Sequence, residues 1–471
     1  SRSILANNER TINWFPEQVG DKLVLYPVAG LRPWTDTGWP RARATFSENG
    51  RTFVVMANQF IEVFAGGNWI VRGGVVEDQF PAQIVGNGAG GQLLIASGGW
   101  AGVYALATNT LTNVLQAEAH QIGMLDGYFL AFNRTLGKLR YSKAGDGSSW
   151  DPLDYVVRSV ASDNWVAMTV NQGRIWLIGE HSGEVWWHAG GSTIFAPIPS
   201  SQFSWGIIAP YSLLPVGDAV RWLSQTPDGD GIIVSAKGYR PERISDHATE
   251  HAIAGYRQTA SITDCEALTY QSRGHTFTVF RFPAADATRV FDDVTGLWHE
   301  RAFWDPATAR WRVWRPRVHM MAFGQHVVGD AQTSTLSILD ETVSTDLGAG
   351  IRRVRVLPTL HGDGERVFVD RIELYLEPGL APQPGNVAAD PQVMLSLSYD
   401  GGKTWGNERR GSAGLVGQYH RRVAWPRCGS GWAVTPMLTC SDPVPWNLID
   451  CFVDASGMVA AAPQASAQAA G

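Results

Sequence analysis

Apolar and polar positions alternate with period two through most of the chain, in short runs closed by Gly, Pro, Asn or Asp. Four segments share one arrangement: RTFVVMANQFIEVFAGG (Arg51 to Gly67), GQLLIASGGWAGVYAL (Gly91 to Leu106), GYFLAFNRTLGKLRYSKAG (Gly127 to Gly145) and GRIWLIGEHSGEVWWHAGG (Gly173 to Gly191). Each reads as an apolar strand, a small-residue turn and a second strand ending in an aromatic. AVRWLSQTPDGDGIIVSAKG (Ala219 to Gly238) and GHTFTVFRFPAADATRVFDD (Gly274 to Asp293) continue the series, with Pro227 to Gly231 as a hairpin loop. Alternation over such lengths predicts antiparallel hairpins. Their recurrence every 35 to 50 residues or so predicts a β-propeller, because one small twisted sheet buries its faces only against neighbours. The expectation is about six blades between Gly20 and Thr345.

One stretch carries a helical period: RISDHATEHAIAGY, Arg243 to Tyr256, with Ser245 as its expected cap and Ile244, Ala248, Ala252 and Ile253 turned inward. After Gly348 the texture changes. RVFVDRIELYLEPG (Arg366 to Gly379), PQVMLSLSYDGGKTW (Pro391 to Trp405), QYHRRVAWPRCG (Gln418 to Gly429) and WAVTPMLTCSDPVPWNLIDCFVD (Trp432 to Asp454) read as strands of a sandwich. The chain therefore divides, on sequence, into an N-terminal segment (1–19), an all-β propeller (20–347), a C-terminal β-sandwich-like domain (348–455) and a low-complexity tail (456–471).

Composition sharpens this picture. A chain of 471 residues with 44% hydrophobic and 17% charged residues has the apolar content for a large core. Its 51 Gly, 25 Pro and 20 Trp suit many short strands joined by tight turns. The net charge of −6, without a basic run, speaks against a surface that grips phosphates. No apolar stretch is long enough to span a bilayer, and SRSILANNER lacks the apolar core of a signal peptide, so the expectation is a soluble, unexported chain. Cys265, Cys428, Cys440 and Cys451 are spaced too widely for a metal knuckle and read as free thiols.

Several motifs invite a chemical reading. Ser398, Asp400, Gly402, Thr404 and Trp405 spell a complete Asp-box, the turn that sialidases repeat through their blades. A sialidase needs several such turns, an arginine cluster and a Tyr nucleophile with a Glu partner; one turn outside the repeats reads as a structural device, in which Asp400 caps backbone N–H groups, Gly402 takes positive φ and Trp405 closes over the loop. His247-x-x-Glu250-His251 matches a zinc-protease pattern. A helix of about three turns in an all-β repeat supplies no third ligand, so no metal is expected. GNGAGG (Gly86 to Gly91) has phosphate-loop composition, but a strand follows it where a cradle needs a helix N-terminus. Asn133-Arg134-Thr135 is a glycosylation sequon with meaning only in a secreted protein. No catalytic, cofactor-binding or metal residue is assigned.

A resemblance extends this reading. SRSILANNERTINWFPE (Ser1 to Glu17) followed by LYPVAGLRPW (Leu25 to Trp34) resembles the opening of the packaged-DNA stabilisation proteins, the tail hub or nozzle subunits of short-tailed bacteriophages. SSWDPLDYVVRSVASDNWVAM (Ser148 to Met168), GYRPERISDHATEHAIAGY (Gly238 to Tyr256), YQSRGHTFTVFRFPAADATRVFDDVTGLWHER (Tyr270 to Arg301), MLSLSYDGGKTWG (Met394 to Gly406) and RRVAWPRCGSGWAV (Arg421 to Val434) are similar to later family blocks in the same order. This chain departs from the family at Pro27-Val28-Ala29-Gly30, where a Thr-Pro-Gly turn is usual, and at His247 and His251, which stand at variable positions. The resemblance implies a non-enzymatic virion protein. It would form a homohexameric ring below the portal and its head-tail adaptor, meet tail fibres or spikes and a plug or needle, and pass packaged DNA without sequence-specific binding. It would be made in the bacterial cytoplasm and act in the virion tail, with no membrane insertion and no cofactor. The alternative is a carbohydrate-binding or sialidase-like propeller that contacts host surface glycans.

Overall fold

In the computed structural model, the described residues are 9–456 apart from 159–162, 192, 227–228, 230, 363, 378–389, 416 and 419–421. The tail expected at 456–471 lies outside them but for Ser456, and so do parts of the loop Pro227 to Gly231. The chain is nearly all β, with a single α-helix among the described residues, His247–Thr259. It divides into two compact units: residues up to Val28 together with those from Gly350, and Ala29–Ala349 between them. Sequence places the first boundary at 19/20, whereas strands Trp14–Val19 and Lys22–Pro27 pair with each other and, through Leu25 opposite Leu448, with the end of the chain.

The larger unit holds seven blades, each built on four antiparallel strands; five are separate four-stranded sheets, and the sheets of blades 6 and 7 continue into further strands. Blade 1 runs from Ala42–Glu48 to Trp69–Gly74, blade 2 from Gln83–Gly86 to Thr110–Ala119, and blade 3 from Gln121–Leu125 to Tyr155–Val157. Blade 4 runs from Trp165–Asn171 to Phe195–Pro197, blade 5 from Leu214–Val216 to Arg240–Arg243, and blade 6 from Glu266–Ser272 to Trp298–Glu300. Blade 7 is built from Pro316–Ala322, Gln325–Asp330 and Thr335–Asp340, and its outer strand is Gly30–Asp36, with Asp36 opposite Thr335. The first strand of each blade touches the first strand of the next, and blade 7 touches blade 1, so the ring closes.

The six segments singled out in the sequence are the middle hairpins of blades 1 to 6. The count of about six is thus one short. The seventh hairpin, GQHVVGDAQTSTLSILD, has the same arrangement, but its sheet is completed by a strand roughly 300 residues earlier, so no local stretch displays it. Apolar clusters fill the interfaces between blades; that between blades 1 and 2 joins Phe53, Val55 and Phe60 to Leu93, Ile95 and Tyr104. Burial of this kind yields about 25 cal/mol per Å² of apolar surface.

The helix starts at Asp246, whose carboxylate accepts the Thr249 N–H at 2.7 Å, and not at Ser245. Ser245 Oγ instead accepts the N–H of Ile233 at 3.1 Å. The buried helix positions are Thr249 and Ile253, while Ala248 faces solvent. That shift by one position follows from the cap.

In the smaller unit, Arg10–Ile12, Arg353–Val356, Ala433–Cys440, Gln392–Ser398 and Arg409–Ser412 form one sheet. Trp14–Val19, Lys22–Pro27, Leu448–Ser456, Val367–Leu376 and Val423–Pro426 form the other. Their inner faces share a core of Trp14, Val369, Ile372, Leu374, Leu395, Trp425 and Leu438, the facing-sheet arrangement of a sandwich. Trp14 anchors the N-terminal strand in it, donating its indole N–H to Trp446 O at 2.8 Å.

Candidate functional site

The first strands of the seven blades line an axial cavity of about 590 Å³. Polar side chains stitch neighbouring blades around it. Gln83 Oε1 accepts the Ile122 N–H, and Gln121 Oε1 the Met168 N–H, each at 2.7 Å, while Thr45 Oγ1 donates to His319 O at 3.1 Å. Each bond satisfies a backbone group that no blade partner serves.

A strap crosses beside this cavity. The segment joining blades 1 and 2 brings Phe80 onto Tyr211, from the turn before blade 5, with ring centroids 5.4 Å apart and planes 18° from parallel. Blades 2 and 5 stand on opposite sides of a seven-membered ring, so this stack spans the axis. Arg134 lies over the other side of the contact, 5.6 Å from the Tyr211 ring. Two arginines hold the strap. Arg43, fully buried, donates to Phe80 O at 2.9 Å, to Val76 O and Ala57 O at 3.0 Å each, and pairs with Asp78. Arg317 of blade 7 donates to Gln79 O at 2.6 Å.

Behind the strap lies a buried charge cluster. Glu266 accepts from Arg281 Nη1 at 2.7 Å and from Arg317 Nε at 3.0 Å, and Arg317 Nη2 reaches its second oxygen. Arg281 also donates from Nε to Trp314 O at 3.0 Å. Burial draws Arg281 below its ordinary basicity, with Glu266 opposing that shift. The cluster's strongest cations thus face acceptors of this same chain. Sequence reasoning missed Glu266, Arg281 and Arg317; the available signal was a charge inside an apolar run, as in Phe280-Arg281-Phe282.

The sequence motifs fall elsewhere. Glu250 turns toward Arg243 and Ser245, while His247 and His251 face solvent. No group of three or more His, Cys, Asp or Glu is placed to hold a metal among the described residues. GNGAGG becomes a short 3-10 turn, Gly88–Gly90, before strand Gln92–Ser97.

The Asp-box lies on the sandwich, after strand Gln392–Ser398. Asp400 accepts the N–H groups of Lys403 and Thr404 at 2.9 Å each, the Thr404 hydroxyl at 2.6 Å and the Ser398 hydroxyl at 2.7 Å. These bonds, the Thr404 hydroxyl first, hold its carboxyl well below the usual carboxylate range. Gly402 takes φ 90° as the turn requires, but Trp405 stays 36% exposed and does not seal the loop. Asp400→Ala is expected to lower the sandwich's thermal transition and leave the propeller's unchanged, read by hydrogen exchange across both units. The wild-type advantage is present above the unfolded carboxyl pKa of about 4 and fades as pH falls below it. Equal protection of the turn in both proteins would refute this.

Among the described residues no helix is long and apolar enough to cross a membrane. All four cysteines are free, with Cys265, Cys428 and Cys440 buried.

Comparison with known proteins places these features. Solved structures with similar architecture include the computationally designed Ika8 protein (TM-score 0.40, 9% identity, covering 66% of this chain and 99% of that one). Another is the extracellular domain of the putative one-component system BT4673 from B. thetaiotaomicron (TM-score 0.43, 12% identity, 92% and 62%). A third is a functionally unknown protein from Desulfotomaculum acetoxidans (TM-score 0.41, 10% identity, 67% and 97%). At these scores the likenesses carry no argument. No curated protein matches the chain. Two family models do: "Bacteriophage P22 Gp10, beta-propeller" over residues 11–344, and "Bacteriophage P22 Gp10, beta-sandwich" over residues 352–456. The first begins before Val28, although the structure gives those residues to the smaller unit. Together the two matches take in nearly the whole described chain, in the order propeller then sandwich, and the chain belongs to the bacteriophage P22 Gp10 family of phage structural proteins, which stabilise packaged DNA.

Proposed function

We propose that this chain is a tail hub or nozzle subunit: a homohexameric ring below the portal and its adaptor that lengthens the DNA channel, helps retain the packaged genome and conducts it at ejection. The family match over both units carries this reading. Tail fibres or spikes and a plug or needle are its further partners, and the virion tail is its place of action, after synthesis in the bacterial cytoplasm.

The axial cavity bears on where DNA would run. Its volume of about 590 Å³, spread along strands of roughly 15 Å, leaves a bore on the order of 10 Å or less. The major groove of a duplex alone is about 12 Å wide. With the strap of Phe80 and Tyr211 beside it, the axis of a single propeller makes a poor conduit, which favours a channel walled by several copies. A net charge of −6 and arginines engaged within the chain suit a wall that lets phosphates slide. Nothing in this reading requires catalysis. The Asp-box, a single turn on the sandwich whose carboxylate is engaged within the turn, lends no support to a sialidase-like alternative.

Particles assembled without this protein are expected to package DNA and lose it on purification, and added protein is expected to restore retention. Particles that keep their genome without it, yet fail to attach to cells, would reject the conduit reading.

A further inference from the structure

The sequon at Asn133 presents no accessible glycosylation acceptor, because Asn133 is only 2% exposed. Its Oδ1 accepts the Leu136 N–H at 3.1 Å and closes the turn after strand Tyr128–Asn133. That bond fixes the amide's orientation, and Asn133 is among the residues lining a groove of about 610 Å³ between blades 2 and 3. Among the described residues Nδ2 meets no acceptor.

Other donors converge on the same groove. His120 Nδ1 accepts the backbone N–H of Arg134 at 3.3 Å, so the ring's proton sits on Nε2. Burial first, and Arg134 second, lower its pKa and keep the ring neutral. The Lys138 ammonium stands 4.3 Å from the Tyr155 ring centroid and forms no ion pair among the described residues. Beneath them Arg140 pairs with Glu118, and its Nε has no partner. A register shift after Gly99, with Ala117 at φ 55°, bends the neighbouring strand of blade 2 and opens the space. The groove thus offers a surplus of N–H donors, one carboxylate, and an apolar wall of Tyr155 and Leu136.

We propose that this groove binds a small carboxylate-bearing sugar. The sugar's carboxylate is received by Asn133 Nδ2, His120 Nε2 and Lys138. Its ring lies along Tyr155 and Leu136, and Glu118 accepts from ring hydroxyls. The volume falls within the usual range of small-molecule pockets, about 300–1,000 Å³. An oxyanion gives the Lys138 ammonium and the groove's N–H donors a partner, and the carboxylate with the apolar wall distinguishes a sugar acid from a bare anion. The site is independent of the conduit reading: a hub subunit without it, or a sugar-binding protein that retains no DNA, would separate the two.

The test is titration of the full chain with D-glucuronate, D-glucose and inorganic phosphate, followed by calorimetry. Saturable binding of glucuronate is expected, with glucose and phosphate each at least tenfold weaker. Lys138→Glu is expected to weaken glucuronate at least tenfold with at most a small shift of the melting transition, since Lys138 forms no ion pair among the described residues and gives up its contact with the partly exposed Tyr155 ring. His120→Gln, which keeps a donor, should weaken it less. Absence of saturable glucuronate binding, equal binding of glucose or phosphate, or indifference to Lys138→Glu would each overturn the proposal.

Discussion

Replacing Glu266 by Ala is expected to destabilise the propeller by about 3–5 kcal/mol. The carboxylate is the shared acceptor of Arg281 and Arg317, which are 1% and 7% exposed. Its removal leaves two guanidinium groups inside the protein with one backbone carbonyl each, Trp314 O and Gln79 O. Charges so placed regain no water on losing their partner, whereas an exposed pair broken in the same way costs under about 1 kcal/mol. Glu266→Gln, which keeps an acceptor oxygen, should cost less. Because Arg317 also holds the strap at Gln79, Glu266→Ala should speed hydrogen exchange at residues 75–82 in particular. Denaturant melts of the three proteins check the order. A loss below about 1 kcal/mol for Glu266→Ala, or uniform exchange across the blades, would show that the cluster is not the strap's anchor.

The second large effect is acid lability of the propeller. Burial, reinforced by Arg301, lowers His299 to a pKa of about 3. Burial, reinforced by His326, lowers His319 to about 4, and His326 is itself lowered by burial. The ring of His299 packs edge-on against Phe277, 5.5 Å away, and His319 Nε2 lies 3.0 Å from His326 Nδ1. Both folded values lie below the unfolded value of about 6.5, so the unfolded chain binds more protons between them. Stability is therefore complete above about pH 6.5 and declines as pH falls toward 4 and then 3. At about 1.4 kcal/mol per unit, the two groups together remove on the order of 6 kcal/mol by pH 4. Denaturant midpoints measured from pH 7 to pH 4 should fall steeply, and His319→Gln should flatten the lower part of that curve. A flat profile in the wild type would refute the claim.

How much of the fold was legible depended on whether the signal was local. Middle hairpins such as Gly173 to Gly191 showed themselves because alternation and turn residues fall within one short window, and so did the helix, to within one cap position. Blade 7 escaped because Gly30–Asp36 and Thr335–Asp340 meet only in space. The hairpin Trp14–Val19 and Lys22–Pro27 could not be assigned to the sandwich for the same reason: its further sheet neighbour is Leu448–Ser456. The Glu266 cluster and the groove at Asn133 are each assembled from two blades, and periodicity carries no information about which polar residues a ring will bring together. The family resemblance reached the fold and the order of its units, because it rests on ordered blocks and not on any single pairing.

The sandwich is discontinuous, with roughly 320 residues of propeller between its two parts, and this sets a schedule for the growing chain. At about 5–20 residues per second, the ribosome takes roughly 15–60 s to pass from Val28 to Gly350. Throughout that interval Trp14, Phe15, Val24 and Leu25 have been made, but the strands that will cover them have not. Blades 1 to 6, each contiguous in sequence, can form meanwhile in order of synthesis. Gly30–Asp36 must wait for Thr335–Asp340 before the ring can close. Strands Trp14–Val19 and Lys22–Pro27, made before the propeller, are thus among the last to be buried, and for that time their protection falls to chaperones or to transient partners within the unfinished chain.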